Sequence, residues 1–274
     1  MTAFGERLGA GRRLPLPARV PRWFAPTATT LAVIALADVV VRSGLVLRRA
    51  FVTPGELVQA LYDQVQTAAY WTAVWNTMEG WALGLGLAIV VAIPVGILVG
   101  TTPWVYHSLR LVIDFLRPIP SIALIPLFII IFGVNLRLKV YLISIGAFWP
   151  LFFQTMYGVQ DVDPVARDTA RAYGLNPFWR FTFISLPGAT PYIATGLRIS
   201  ATYALLTSVG SELLVGLPGL GFRIYKMQYA GDTGGMYALI ATSGFIGLTI
   251  AFLFNRLERI TLKWHPSQRS EAPV

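Results

Sequence analysis

The chain has 274 residues, 55% hydrophobic and only 13% charged, and its mean hydropathy is +0.62. Soluble domains carry about 25% charged residues, so the composition excludes a water-exposed globule and points to an all-α polytopic membrane protein. The formal charge of +9 does not indicate nucleic acid, because Arg and Lys stand at the ends of apolar segments, where anionic headgroups and the positive-inside bias account for them. With no Cys, disulfide frameworks, thiolate metal sites and Cys nucleophiles are excluded together.

Residues 1–26 carry Arg7, Arg12, Arg13, Arg19 and Arg22 among prolines and read as a basic cytosolic tail. A signal peptide is the rival, but the basic region is long and no small-residue cleavage motif follows the apolar run. The first span runs near Thr27–Leu47. Between Arg48 and Trp75 the composition is mixed: Pro54 marks a helix start, and Leu57, Ala60, Leu61 and Val65 recur at the spacing of a surface helix. The second span covers Asn76–Gly100, with Gly80, Gly84 and Gly86 allowing close packing on one side and Pro94 predicting a kink. From Arg110 to Phe132, Pro118, Pro120 and Pro126 interrupt an apolar run. Each removes a backbone donor and clashes with the preceding turn, so the segment is a broken or re-entrant helix beside the pathway, or an elbow leading into a span. The fourth span is Lys139–Val159 and the fifth Pro191–Val215. A Gly-rich turn region, 216–235, precedes the sixth, Met236–Leu257. About six spans place both termini on one side, which the arginines of the tail and of the 161–187 segment mark as cytoplasmic.

The segment Asp161–Pro187 is charged and amphipathic in a chain that is otherwise apolar. Asp163-Pro164 starts a helix: an N-cap acceptor followed by a residue that needs no donor. The helix runs to Tyr173 and stops at Gly174, which tolerates the left-handed C-cap. Val165, Ala166, Thr169, Ala170 and Tyr173 share one face by helical spacing, with Arg167, Asp168 and Arg171 beside or opposite it. Asn176-Pro177 repeats the signature and starts a second helix, Phe178–Leu186. A helix resting on headgroups favours large apolar residues and Lys/Arg. Ala, Thr and acidic groups suit a protein groove instead.

The pattern Asp168-Thr169-Ala170, then Gly174, then Ile184-Ser185-Leu186-Pro187 resembles the EAA loop of bacterial ABC importer permeases. Asp168 and Thr169 stand where that pattern has Glu and Ala. Further runs, Arg117-Pro118-Ile119-Pro120-Ser121-Ile122, Gly196-Leu197-Arg198-Ile199, and Glu212 followed by Pro218-Gly219-Leu220-Gly221, resemble the nitrate/sulfonate/taurine branch. The Arg common in the family a few residues after the Thr at the start of span two is absent here, where Thr77-Met78-Glu79-Gly80 stands. The resemblance implies a type I ABC importer permease fold. It implies residues 27–74 as a first span with its external connection, a permease core over 75–263 and a cytosolic tail over 264–274. It assigns Val165, Ala166, Asp168, Thr169, Ala170, Arg171, Tyr173, Gly174, Leu186 and Pro187 to a coupling helix and its flank, gripped by ABC ATPase subunits. It also implies a second permease copy, an extracytoplasmic solute-binding protein, the bacterial cell membrane, and a small anionic solute of the sulfonate, nitrate or taurine kind. Related permeases carry pyrimidine-type or aromatic substrates, the alternative within the family.

The chain has no phosphate-binding Gly-x-x-x-x-Gly-Lys-Ser/Thr loop, so no cofactor is expected in it, with ATP and Mg held by the partner ATPase. Its two histidines, His107 and His265, are far apart, and no nucleophile–base arrangement stands out: an enzyme is not expected. Among intramembrane charges, Asp38 pairs with Arg42 one turn on, Asp114 with Arg110 or Arg117, and Arg198 with a loop carboxylate. Glu212, with Thr207, Ser208 and Ser211 before it and Ser121 on the broken segment, gives the candidate translocation pathway. Glu212 itself reads as a structural partner or gate, since it would repel an anion. A secondary transporter driven by an ion gradient is the rival from another class. It calls for inverted repeats with paired broken helices, whereas only one Pro-interrupted segment occurs and no internal repeat. A channel or scaffold without an ATPase has no need of the loop.

Overall fold

The computed structural model describes residues 24–44 and 50–262, and every regular element among them is helical. The basic tail, Lys263 and His265 lie outside the described residues. Contacts divide the chain after Glu56 into two units. The first holds α1, Phe24–Arg42, in which Asp38 pairs with Arg42 at 2.7 Å as the spacing predicts. α2, Pro54–Val65, opens on a capping box: the Thr53 N–H donates to the Glu56 carboxylate at 2.8 Å and the Glu56 N–H to Thr53 Oγ1 at 3.3 Å.

The second unit is built on three helices that are each long and apolar enough to cross a membrane: α3 (Ala68–Thr101), α6 (Leu136–Gln160) and α11 (Thr233–Thr261). Two bent pairs raise the number to five among the described residues, against the about six expected from sequence. In one pair, α4 (Pro103–Leu116) meets a 3-10 turn (Ser121–Leu124) and α5 (Ile125–Phe132) at 80°. This is the break that Pro118, Pro120 and Pro126 demand. In the other, the helical run Pro177–Val215 meets α10 (Leu220–Tyr229) at 43°.

α6 lies between α3 and α9 (Leu186–Val215), and small residues set the distances. A Cβ at Gly84 would collide with the Ile143 side chain, one at Gly96 would stand 2.9 Å from Phe152 O, and one at Gly100 2.8 Å from Met156 O. In lipid, where burial between helices gains little over lipid contact, such close approach supplies the attraction. Gly86 does not take part, because a Cβ there would meet open space. On the other side of α6, a Cβ at Gly158 would crowd Tyr192 and one at Gly196 would crowd Gln154 and Leu151. Outward faces carry Leu83, Val90, Leu98, Phe245 and Leu248, large, apolar and exposed, as lipid-facing positions are.

Three expectations change. The helix of the second span begins at Ala68, capped by Thr67 Oγ1, rather than at Asn76. The region 216–235 is not a plain turn: Leu220, Ile224 and Met227 recur at helical spacing and bury α10 against Tyr70, Ala73 and Leu239. The fifth span does not start afresh at Pro191 either. α8 (Pro177–Arg180), capped by Asn176, continues through a π-helical turn, Phe181–Ser185, into α9. Pro187 has no N–H for the Phe183 carbonyl, and the wide turn, in which the Leu186 N–H reaches back to Phe181 O, accommodates that gap.

Candidate functional site: an exposed loop helix and an aromatic cavity

The loop helix α7 spans Pro164–Ala172. Its start is fixed by Asp163, whose carboxylate accepts from the Val165 N–H at 2.8 Å. Its end is fixed by Gly174 at φ +72°, which lets the Leu175 N–H return to Ala170 O at 3.1 Å. The structure divides the expected docking face in two. Ala166 and Arg167 are half-buried and Ala170 is 5% exposed; they face the body, and the Arg167 guanidinium donates to Val159 O at 2.8 Å. Val165 (71% exposed), Asp168, Thr169 and Ala172 face outward, flanked by Arg171 and Tyr173, the latter 81% exposed. Both sets follow from 100° per residue. The sequence pattern had merged them because Ala and Thr look alike on either side, and it passed over Ala172. Asp168 pairs with Arg171 at 3.3 Å in the open. Leu186 and Pro187 lie half-buried at the start of α9, not on the loop helix.

The candidate pathway residues separate as well. Ser121 and Thr207 line a cavity of about 640 Å³ formed by the broken segment, α6 and α9. They converge over Gly146, where a Cβ would stand 2.7 Å from Thr207 Oγ1 and 3.0 Å from Ser121 Oγ. On its α6 wall, Trp149, Phe153 and Tyr157 recur every fourth residue and stack in sequence, with centroids 6.1 and 5.8 Å apart. Arg117, on the broken segment, places its guanidinium carbon 4.5 Å from the centre of the Phe153 ring. That leaves Asp114 to Arg110, at 3.8 Å.

Ser208, Ser211 and Glu212 are absent from this lining. All three are fully buried, in a polar node where α3, α6, α9 and α10 meet. Glu212 pairs with Lys139 at 2.6 Å and accepts from Thr77 Oγ1 and the Gly221 N–H, both at 2.9 Å, and from Ser208 Oγ at 3.3 Å. Lys139 Nζ donates in addition to Asn76 O at 2.7 Å. Expected at the very start of the fourth span, where a charge would meet the membrane surface, Lys139 is 2% exposed instead. It lies over Gly80 and supplies the counter-charge of Glu212. The signal for it was weak: Asn135, which caps α6, places Lys139 inside the first turn. Arg198 meets Glu258 of α11, rather than a loop carboxylate, at 3.5 Å, and Asn255 at 2.5 Å.

Comparison with known proteins identifies the family. Residues 70–263 match the family model described as binding-protein-dependent transport system inner membrane component. The taurine transport system permease protein TauC of Escherichia coli (strain K12) is 33% identical over 201 residues, covering 72% of each chain. The putative aliphatic sulfonates transport permease protein SsuC of the same strain is 26% identical over 253 residues, covering 91% of this chain and 93% of that one. Among solved structures, the MetNI methionine ABC transporter in an inward-facing conformation superposes with a TM-score of 0.61 at 21% identity, over 69% of this chain and 94% of the matched one. At that identity the likeness speaks for the fold.

Proposed function

Since the chain belongs to the family of binding-protein-dependent transport system inner membrane components, the permeases of ABC importers, we propose that it forms the translocation pathway for a small anionic solute of the sulfonate, taurine or nitrate kind. In this reading two copies enclose the pathway, two ATPase subunits carrying ATP and Mg grip the cytoplasmic loops, and a solute-binding protein delivers the solute from outside. Both termini are cytoplasmic. The relatives TauC and SsuC, named for taurine and aliphatic sulfonates, support the anion.

One observation carries the mechanical part. α7 is a short, firmly capped helix with an exposed face, and the chain that follows it is helical without interruption from Pro177 to Val215. From Leu186 to Thr207 that run spans about 30 Å at 1.5 Å per residue. A partner that moves the Asp168 face therefore acts, through the turn at Tyr173–Asn176, on the helical run that carries Ile199, Tyr203 and Thr207 to the cavity. This is the rigid-element route by which ATP-driven closure switches access between sides.

Gly174→Asp tests it. No atom lies within 4 Å of a Cβ at Gly174, and Asp tolerates the left-handed region, so the substitution adds a charge beside the exposed face without collapsing the helix. In proteoliposomes containing the whole complex, ATP hydrolysis should continue while uptake is lost. Uptake at the wild-type rate would remove the docking role from this loop.

A further inference from the structure

Among the described residues, Arg117 is the sole formally charged side chain lining the 640 Å³ cavity. The nearby acid in sequence, Asp114, is held by Arg110, and among the described residues the Arg117 guanidinium has no ion pair. What holds it is the Phe153 ring, 4.5 Å away, itself held in the Trp149–Phe153–Tyr157 stack. A guanidinium resting on an aromatic face is fixed in orientation yet keeps its fork of N–H donors free at the edge. Arg117 is itself exposed, so solvent screens part of its charge, yet the largely apolar walls of the cavity focus the field of an unpaired cation onto a small anion inside it. Neutral donors accompany it. The hydroxyls of Ser121 and Thr207, converging over Gly146, have no hydrogen-bond partner among the described residues, and Gln154 lines the same space.

We propose that Arg117, seated on Phe153, is the anion-holding group of the translocation cavity. Its fork receives the oxyanion end of a small solute, two oxygens at once, as guanidinium does for carboxylate-like groups. The hydroxyls of Ser121 and Thr207 complete the oxyanion's shell. A single cation without a second one beside it suits a pathway, since a transported ion must be bound firmly enough to enter and loosely enough to leave. The proposal rests on the permease reading above and assigns specificity within this chain, in addition to whatever the binding protein selects.

The test uses the complete complex, permease with ATPase and binding protein, in proteoliposomes, with taurine and nitrate as probes. At sub-saturating probe, Arg117→Gln should lose at least about tenfold in uptake, the size expected when a hydrogen-bonded charge partner is removed. Arg117→Lys, which keeps a point charge without the fork, should fall between. Phe153→Leu, which keeps the charge but removes its platform, should lose less than Arg117→Gln. A second measurement needs no variant: labelling of Arg117 by phenylglyoxal, read by peptide mass spectrometry on the wild-type complex, should be suppressed by millimolar taurine and not by glycerol. Wild-type uptake by Arg117→Gln, or labelling indifferent to taurine in a complex that transports it, overturns the assignment. A wild-type complex that takes up neither probe overturns the anion-permease reading itself, and the role of Arg117 with it.

Discussion

Removing the charge of Lys139 alone should be among the most damaging single changes in this chain, and neutralising Glu212 as well should largely restore it. The pair is fully buried, and deleting one partner of a buried ion pair costs about 3–5 kcal/mol, because the other charge stays out of water without compensation. In Lys139→Met, Glu212 keeps neutral donors from Thr77, Ser208 and Gly221 but loses its only counter-charge among the described residues. In Glu212→Gln, the amide NH2 would face the ammonium at the position now 2.6 Å away, a donor against a donor. In the double variant the Gln oxygen can sit where Glu212 Oε2 now accepts from both Thr77 and Gly221, while its NH2 faces a thioether. That arrangement should cost less than either single change. At about 2–4 °C per kcal/mol for chains of this size, Lys139→Met should melt about 10 °C below wild type. Tryptophan fluorescence of the detergent-solubilised protein on heating provides the assay. A double variant whose loss equals the sum of the two single losses would show the two side chains to be independent, and the reasoning would fail.

Gly146→Val places methyl groups where a Cβ already stands 2.7 Å from Thr207 Oγ1 and 3.0 Å from Ser121 Oγ. Overpacking of about 1–3 kcal/mol should leave the permease assembled with its ATPase on co-purification but reduce solute uptake sharply, and unchanged uptake would mean the solute does not pass this cavity. Pro187→Ala returns an N–H that can bond Phe183 O, so the π turn at Phe181–Ser185 can tighten to a regular helix. Shifting the register by one residue would swing α7 about 100° around the axis of α9. Uptake per ATP hydrolysed should fall with helix content by circular dichroism unchanged.

The loop helix was legible in the sequence because its signals are local: Asp163, Pro164 and Gly174 each act within one turn, and all three sit where their chemistry requires. The broken third segment was legible for a related reason: three prolines in nine residues leave no room for a regular helix, whereas single prolines are carried inside α3, α6 and α9. Which face of a span looks inward was not. Polar alternation marks faces in water-exposed helices, but in α3 and α9 nearly every position is apolar or small. Thus Gly86 and Gly96, or Thr207 and Ser208, look equivalent until neighbours are placed. The Lys139–Glu212 pair joins helices far apart in sequence, and Lys139 at a span end resembles any charge waiting at a membrane surface. α10 hid among glycines that end its neighbours, and its inward positions, Leu220, Ile224 and Met227, are interleaved with Phe222, Tyr225 and Tyr229, which blur the helical period.

The three features converge on α9. Its N-terminal end continues from the π turn that follows α7 and α8, its middle supplies Ile199, Tyr203 and Thr207 to the cavity, and its C-terminal end holds Glu212 in the buried node. Thirty residues of helix make a rod of about 45 Å, and close contacts at Gly158 and Gly196 oppose bending toward α6. A pull on α7, as proposed above, would therefore be resisted at the far end by the Lys139–Glu212 ion pair, whose separation would expose two charges to an apolar interior. The rod can pivot there more readily than it can slide. Under a pivot, displacement shrinks toward Glu212 and grows toward the loop, so the cavity residues, lying between, move by a fraction of what the loop moves. If ATPase subunits pull on α7 as proposed, a cavity in the middle of such a lever would open and close by smaller displacements than the loop makes, which is the proportion an alternating-access pathway needs if it is to stay sealed on one side throughout.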